Sequence, residues 1–362
     1  MKIAIIGTRG IPNNYGGFEQ FAEYLSVGLV DKGHEVFVYN PHNHPYQMNT
    51  WNNVNIIHCY DPEFRLGTIG QFIYDLNCIL DSRKRNFDII LQLGYTSSSV
   101  WNWLFPKNSI IVTNMDGLEW KRSKYSKMVQ NFLKFAEKLA VKYSDYLIAD
   151  SKGIQSYLKN KYSIESEYIP YGANLVDNCN EKELNEFDLK PYNYNMLIAR
   201  IESENNIETI LKGIINSDTK RKMLVIGSIN NKYGQYIKSK FTDERIIFLG
   251  YVSFIKKLNL LRYFSHIYFH GHTVGGTNPS LLEAMSSQSL ICAHNNEFNK
   301  AILLDDAFYF NCDKCITSLL NKSEISERNQ YVSHNIEKIK IKYSWDTIVS
   351  DYESFMNSCL NK

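Results

Sequence analysis

The sequence predicts an α/β protein built from two Rossmann-like parallel-sheet domains. Three observations predict this class. Short apolar runs alternate with stretches of helical periodicity along most of the chain, the pattern of parallel strands joined by crossover helices. A length of 362 residues exceeds what one hydrophobic core usually holds. The alternation stops once, over the polar and acidic residues 176–194 with Pro191, and then restarts, which places a linker there.

The first strand is the apolar run 2–6, and apolar residues at helical spacing over 18–30 give the first helix. Between them lies a loop, 8–17, with Gly10, Pro12, Gly16 and Gly17. Ten residues exceed what a strand-to-helix connection needs, so the loop reads as functional. Its glycines allow close backbone approach and positive φ, and Arg9, Tyr15 and Glu19 are candidates to touch substrate. The spacing is not G-x-G-x-x-G, which removes a dinucleotide-dependent dehydrogenase from consideration. Strands at 34–40, 54–59, 88–93, 109–113, 146–149 and 167–169 then alternate with helical stretches at 70–84, 97–105, 124–143 and 152–162. Such a sheet is covered on both faces and binds ligands outside the carboxyl ends of its strands. Asp116 and Glu119 follow one such end, although Asp116-Gly117 is also a common turn pair. Gln92 and Tyr95 end another, and Ser151 reads as a helix N-cap. The stretch 121–142 is mostly basic, with Val129, Phe132, Leu133, Phe135, Leu139 and Val141 interleaved as one buried stripe.

After the linker come strands at 195–199, 222–227, 245–250, 266–269, 290–293 and 308–310, and an amphipathic helix at 345–360. The stretch 268–285 reads Y-F-H-G-H-T-V-G-G-T-N-P-S-L-L-E-A-M. It is a strand, then a small-residue loop over 271–279, then a helix opening at Ser280. In that order the amides of the loop and of the first helical turn converge on one spot with the helix dipole behind them, which makes an anion site. Glu283, one turn in, would repel phosphate and suits hydroxyls such as those of a ribose. The combination points to a sugar nucleotide. His270 and His272 flank Gly271 at the head of the loop; no third ligand stands at zinc spacing, and His272 reads as a ligand contact.

Bulk composition narrows the remaining classes. Hydrophobic content of 44% and charged content of 22% are ordinary for a globular protein, and a net charge of +2 gives no argument for nucleic acid. The chain enters a strand at once, without a cleavage site, and no apolar run spans a bilayer, so a cytoplasmic location is expected. Seven scattered cysteines fit reduced thiols, and Cys312-x-x-Cys315 alone supports neither metal nor redox chemistry.

The stretch 268–285 resembles the nucleotide-sugar site of retaining glycosyltransferases of the GT-B architecture, the GT4 or "group 1" family. Together with G-T-R-G-I-P-N-N-Y-G-G-F-E near the N-terminus it resembles their bacterial polysaccharide rhamnosyltransferase branch. The resemblance implies two domains, 1–172 on the acceptor side and 173–344 on the donor side, facing across a cleft, with helix 345–362 crossing back to the first. It implies catalytic roles for Arg200, Asp116 and Glu283, with Arg200 on the donor pyrophosphate. Donor contacts fall on Arg9, Gly16, Gly17, Asn205, His272, Gly275, Gly276, Thr277, Asn278, Pro279, Ser280 and Leu281. Tyr15, Glu19, Asp116 and Glu119 fall on the acceptor side. Two positions depart from the family: Asn205 stands where a lysine is usual, and Gly275 where a glutamate is usual. Arg9 or His272 is expected to supply the missing charge. No D-x-D occurs, in keeping with the family's metal-independent mode, and no cofactor is expected. The implied donor is dTDP-β-L-rhamnose and the implied acceptor a lipid-linked saccharide. The basic helix 121–142 would then rest on anionic lipid of the inner leaflet, where each lysine contributes about 1 kcal/mol. Other readings are a transferase using another UDP- or GDP-sugar, a sugar-nucleotide epimerase, and a non-catalytic sugar-nucleotide-binding assembly subunit.

Overall fold

A computed structural model of the chain describes residues 1–122, 125–252, 254–273 and 276–361. It divides into two compact units, one formed by residues 1–172 with the C-terminal helix Trp345–Leu360, the other by residues 173–344.

The first unit is organised on eight strands: β1 (Lys2–Ile6), β2 (Glu35–Pro41), β3 (Thr50–Trp51), β4 (Val54–Cys59), β5 (Ile89–Leu93), β6 (Ile110–Asn114), β7 (Tyr146–Ala149) and β8 (Glu167–Tyr168). Their order is β3-β4-β2-β1-β5-β6-β7-β8. All pairings are parallel except β3 with β4. The central strands are apolar on both faces because helices cover both: Ile3, Ile5, Ile89 and Leu91 are all fully buried. The chain runs from β1 outward to β2 and β4, then crosses to β5 on the other side of β1. Strand order therefore reverses between β1 and β5, and a ligand crevice is expected at their carboxyl ends.

Two local expectations are corrected. The stretch 97–105 is a 3-10 turn, Ser99–Leu104, not an α-helix. The basic helix begins at Lys127, capped by the Ser126 hydroxyl, and buries Leu133, Ala136, Glu137, Ala140 and Val141. That phase turns Val129 and Phe135 outward, 38% and 54% exposed, so the apolar residues do not form one buried stripe. A carboxylate takes its place in the core. Glu137 receives Trp120 Nε1 (3.0 Å), Tyr157 OH (2.7 Å), Tyr162 OH (2.6 Å) and Lys161 Nζ (2.8 Å).

The C-terminal helix packs on helix Gly17–Asp31 through aromatic rings. Trp345 stacks on Tyr24 at 4.6 Å, and Phe21 lies 5.2 Å from Tyr352. Tyr352 OH accepts a hydrogen bond from Asn114 Nδ2 (2.9 Å), which ties this helix to the end of β6.

The second unit carries β9 (Tyr194–Ile198), β10 (Lys222–Ile226), β11 (Ile246–Gly250), β12 (Tyr268–His270), β13 (Ile291–His294) and β14 (Phe308–Phe310). The order is β11-β10-β9-β12-β13-β14 and every pairing is parallel. Here the strand order reverses between β9 and β12. Strand β12 lies one to two residues later than the apolar run 266–269 suggested, pairing Tyr268 with Met196 and Phe269 with Leu197. The polar stretch 176–194 includes a 3-10 helix, Glu181–Phe187, seated by the fully buried Leu184.

Candidate donor and acceptor sites

In the second unit the two loops that leave β9 and β12 are laced together. Asn205 Nδ2 donates to Arg200 O (2.8 Å), Asn206 Nδ2 to Gly271 O (2.8 Å) and Thr273 Oγ1 to Glu204 O (2.8 Å). Gly271 is required by this approach: a Cβ there would stand 2.0 Å from the Asn205 carbonyl oxygen. The Asn205 side-chain amide thus holds the backbone of Arg200, a loop-fixing contact beside the donor role expected of it. Arg200 itself is exposed, and no carboxylate among the described residues pairs with it.

The helix expected to open at Ser280 is Pro279–Ser286, with Asn278 as N-cap and Pro279 in the first turn. Pro279 has no N–H to offer an anion. The Ser280 amide donates to Asn278 Oδ1 (3.0 Å) and the Leu281 amide to Asn278 O (3.0 Å), so both are used in the cap. Gly275 lies outside the described residues. Ser280 Oγ shares a hydrogen bond with Tyr268 OH (2.6 Å).

Glu283 sits one turn further on, half-buried, with Oε2 2.5 Å from Arg262 Nη2. Arg262 lies in helix Ile255–Tyr263 and is 1% exposed. Sequence reading passed over it, since an arginine in a charged helix looks solvated. The His270 and His272 rings stack at 4.4 Å. Burial, with His272 and Arg262 nearby, holds His270 well below the usual imidazole range, so this ring is neutral. Asn296 and Asn299, also passed over, donate to the His272 carbonyl. No cluster of three metal-ligating side chains occurs among the described residues. Cys312 and Cys315 stand apart from this site, their sulfurs 3.4 Å from each other.

In the first unit the loop after β1 is fixed from two sides. Asn40 exchanges hydrogen bonds with both backbone groups of Ile11 (2.7 and 3.0 Å), and Gly10, at φ +93°, leaves the room its side chain occupies. The Arg9 amide donates to the buried Glu19 carboxylate (2.7 Å). The Arg9 guanidinium lies 4.1 Å over the exposed Tyr15 ring and grips Glu63 through Nη2 (2.8 Å) and Nε (3.2 Å). Burial would raise the Glu63 carboxyl, but the bonds from Arg9 and Gln71 hold it below its usual range.

The candidate residues of this loop are placed as follows. Arg9 is paired with Glu63 within its own unit, both side chains part-exposed. Glu19 braces the loop from inside. Gly16 is the helix N-cap in extended conformation, φ −167°, and half-buried, while Gly17 is exposed. After β6, Asp116 is held at φ +45° with its amide on Asn114 Oδ1 (3.0 Å), and Glu119 pairs with Arg122 (2.6 Å). Near the β1/β5 switch lies a carboxyl the sequence did not single out. Asp75 accepts from Ser97 Oγ (2.6 Å), and burial pushes it up to about 7. The assigned residues thus form two sets, one at the strand ends of each unit.

Residues 1–174 match a family described as a domain of unknown function, DUF1972. Over its full length the chain is 22% identical to an uncharacterized glycosyltransferase, MJ1069, of Methanocaldococcus jannaschii, with 99% of that protein covered. It is similar in structure to sucrose-phosphate synthase from Thermosynechococcus elongatus, with a TM-score of 0.82 at 14% identity and 99% of both chains covered. It is also similar to Anabaena HepE in complex with UDP and glucose, with a TM-score of 0.77 at 13% identity, covering 99% of this chain and 100% of the other. The protein has the GT-B fold, two Rossmann-like parallel-sheet domains in one chain.

Proposed function

We propose that the protein is a retaining glycosyltransferase that moves L-rhamnose from dTDP-β-L-rhamnose to a lipid-linked saccharide in capsule, O-antigen or cell-wall polysaccharide synthesis. The observation that carries the transferase reading is the β9/β12 switch of the second unit. There an exposed arginine, a capped helix start and a carboxylate one turn in are brought to one end of one sheet. The similarity to HepE, whose complexes hold UDP and UDP-glucose, supports a nucleotide-sugar donor, and it also favours a second reading in which the donor is a UDP-sugar.

Breaking the bond from anomeric carbon to phosphate separates charge, leaving an oxocarbenium-like sugar and an anionic diphosphate. Arg200 and the amides of Gly276, Thr277 and Asn278 act on that developing negative charge, and donors placed in advance cost no reorganisation during the reaction. Glu283 takes the nucleoside hydroxyls, the 3′-hydroxyl alone in dTDP and both the 2′- and 3′-hydroxyls in a UDP-sugar. The loop with Tyr15, Gly16 and Gly17, together with Asp116, serves the sugar and acceptor side. The exposed lysines 127, 134, 138 and 142 with Met128 and Phe135 supply a basic, partly apolar face for anionic lipid. Among the described residues no helix is long and apolar enough to cross a membrane.

The test is release of nucleoside diphosphate from dTDP-rhamnose, UDP-glucose and GDP-mannose, with and without a lipid-linked saccharide. Acceptor-dependent release from dTDP-rhamnose alone is the expected result. Acceptor-dependent release from another donor moves the sugar, acceptor-independent conversion identifies an epimerase, and binding without turnover identifies an assembly subunit.

A further inference from the structure

The proposed ribose contact depends on a residue that touches no substrate. Arg262 is the bulkiest fully buried side chain among the described residues, and burying a guanidinium is costly unless its charge is met. Here it is met by Glu283, Oε2 to Nη2 at 2.5 Å, while Nη1 donates to Asn259 Oδ1 (3.0 Å). The arginine is held by its backbone as well: its carbonyl accepts both Ser265 Oγ (2.7 Å) and Ser289 Oγ (2.9 Å). Glu283 therefore has an immobile partner on its inner side. Its own side chain remains 20% exposed, against 1% for Arg262, so the pair points from core to surface. A carboxylate anchored through one oxygen has lost the rotamer freedom it would otherwise lose on binding a ligand.

The surroundings fit a fixed rather than an adaptable contact. The Tyr268–Ser280 hydroxyl pair joins strand β12 to the first turn of the Glu283 helix, and the buried His270 ring stacks against His272 at the head of the loop. Burial holds the His270 imidazole well below its usual range, and Arg262 and Glu283 form the ion pair beside it.

We infer that Arg262 is a positioning residue that aims the Glu283 carboxylate at the pentose hydroxyls of the donor nucleotide, of which dTDP offers only the 3′-hydroxyl. The inference rests on the nucleotide-sugar reading of this site and deepens it. A lysine could keep the charge, but its single ammonium cannot hold Asn259 and Glu283 in the planar geometry of a guanidinium.

The experiment is calorimetric titration of the full chain with UDP, dTDP, their 2′,3′-dideoxy forms, and inorganic pyrophosphate. Wild type should prefer each hydroxylated nucleotide over its dideoxy form by roughly tenfold or more, the worth of hydrogen bonds to a charged group. Arg262→Lys and Arg262→Met should bring that ratio close to one and leave pyrophosphate affinity unchanged. Glu283→Gln should do the same, and Arg262→Met added to it should lower the ratio no further. If Arg262→Met does not fold, Arg262→Lys carries the test, because it retains the buried positive charge. A wild-type ratio in Arg262→Lys would overturn the positioning role with the nucleotide site intact. Equal binding of hydroxylated and dideoxy forms by wild type would overturn the ribose contact itself. No nucleotide binding by a folded wild type would overturn the inference together with the reading beneath it.

Discussion

The buried carboxyl of Asp75 makes a sharp test of the first unit. Asp75 is 5% exposed on helix Thr68–Ser82 and accepts from Ser97 Oγ at 2.6 Å. Burial pushes it from 3.8 to about 7, opposed by Ser97 and Arg9 and reinforced by Asp61. Between those two pH values the folded chain binds more protons than the unfolded one, so stability falls as pH rises from about 4 to 7 and then levels off. At 1.36 kcal/mol per pH unit the full loss is about 4 kcal/mol. Asp75→Asn removes the titration and keeps an acceptor for Ser97. It should therefore stabilise the first unit by about 2–4 kcal/mol at pH 8 and be near neutral at pH 4. The assay can be confined to this unit, because Trp51, Trp101, Trp103, Trp120 and Trp345 all belong to it. Tryptophan fluorescence against urea at pH 4, 6 and 8 then reports its unfolding. The same shift at every pH, or destabilisation at pH 8, would refute the reasoning.

The remaining predictions concern the donor site, the core and the surface. Arg200→Ala should lower nucleotide release by about 100-fold to 1000-fold with an unchanged melting curve, since the side chain is exposed and the lost donor acts on the leaving group. Glu137→Ala should cost the first unit about 3–5 kcal/mol by the same fluorescence assay, because it empties a buried carboxylate site and leaves a lysine and half-buried hydroxyl and indole donors without their acceptor. Cys315 should alkylate fastest of the seven cysteines at neutral pH: it is exposed, and hydrogen bonding with the Asn311 backbone and with Cys312 lowers its thiol. Peptide mapping after brief iodoacetamide treatment checks this, and an equal rate at Cys179 would count against it. Lys134→Glu with Lys138→Glu should weaken binding to phosphatidylserine vesicles by about 1 kcal/mol per lysine removed, with the difference fading in high salt.

The sequence made visible whatever local pattern dictates. Continuous apolar runs such as 3–6 and 89–91 announce strands buried on both faces, and their alternation with helices announces parallel sheets. The strand, loop and helix around 268–286 were legible for the same reason. The exact helix start was legible too: Asn278-Pro279 is an N-cap followed by a first-turn proline, a signal that outranks Ser280. Contacts between distant positions were not. Arg9 and Glu63 are far apart in sequence, and nothing local says that one neutralises the other. Phe135 looked like core because hydrophobicity alone does not fix helix phase when a carboxylate, Glu137, occupies the buried face. Arg262 was hidden by the same rule, since the residue types that mark a solvated face also make up a buried ion pair.

Asn205 shows how such local and distant constraints meet at one position. It stands where the glycosyltransferases that the sequence resembles usually carry a lysine. In the structure its amide holds the carbonyl of Arg200, and its own carbonyl is what Gly271 approaches. A lysine could not donate in the same compact geometry without bringing its long, flexible stem into the contact between the β9 and β12 loops. Asparagine at this position fixes the backbone that carries Arg200. On the proposed reading, placement of Arg200, rather than the number of cations, is what the two loops would secure. That accords with transition-state stabilisation, which rewards donors fixed before charge develops over donors that must be recruited to it.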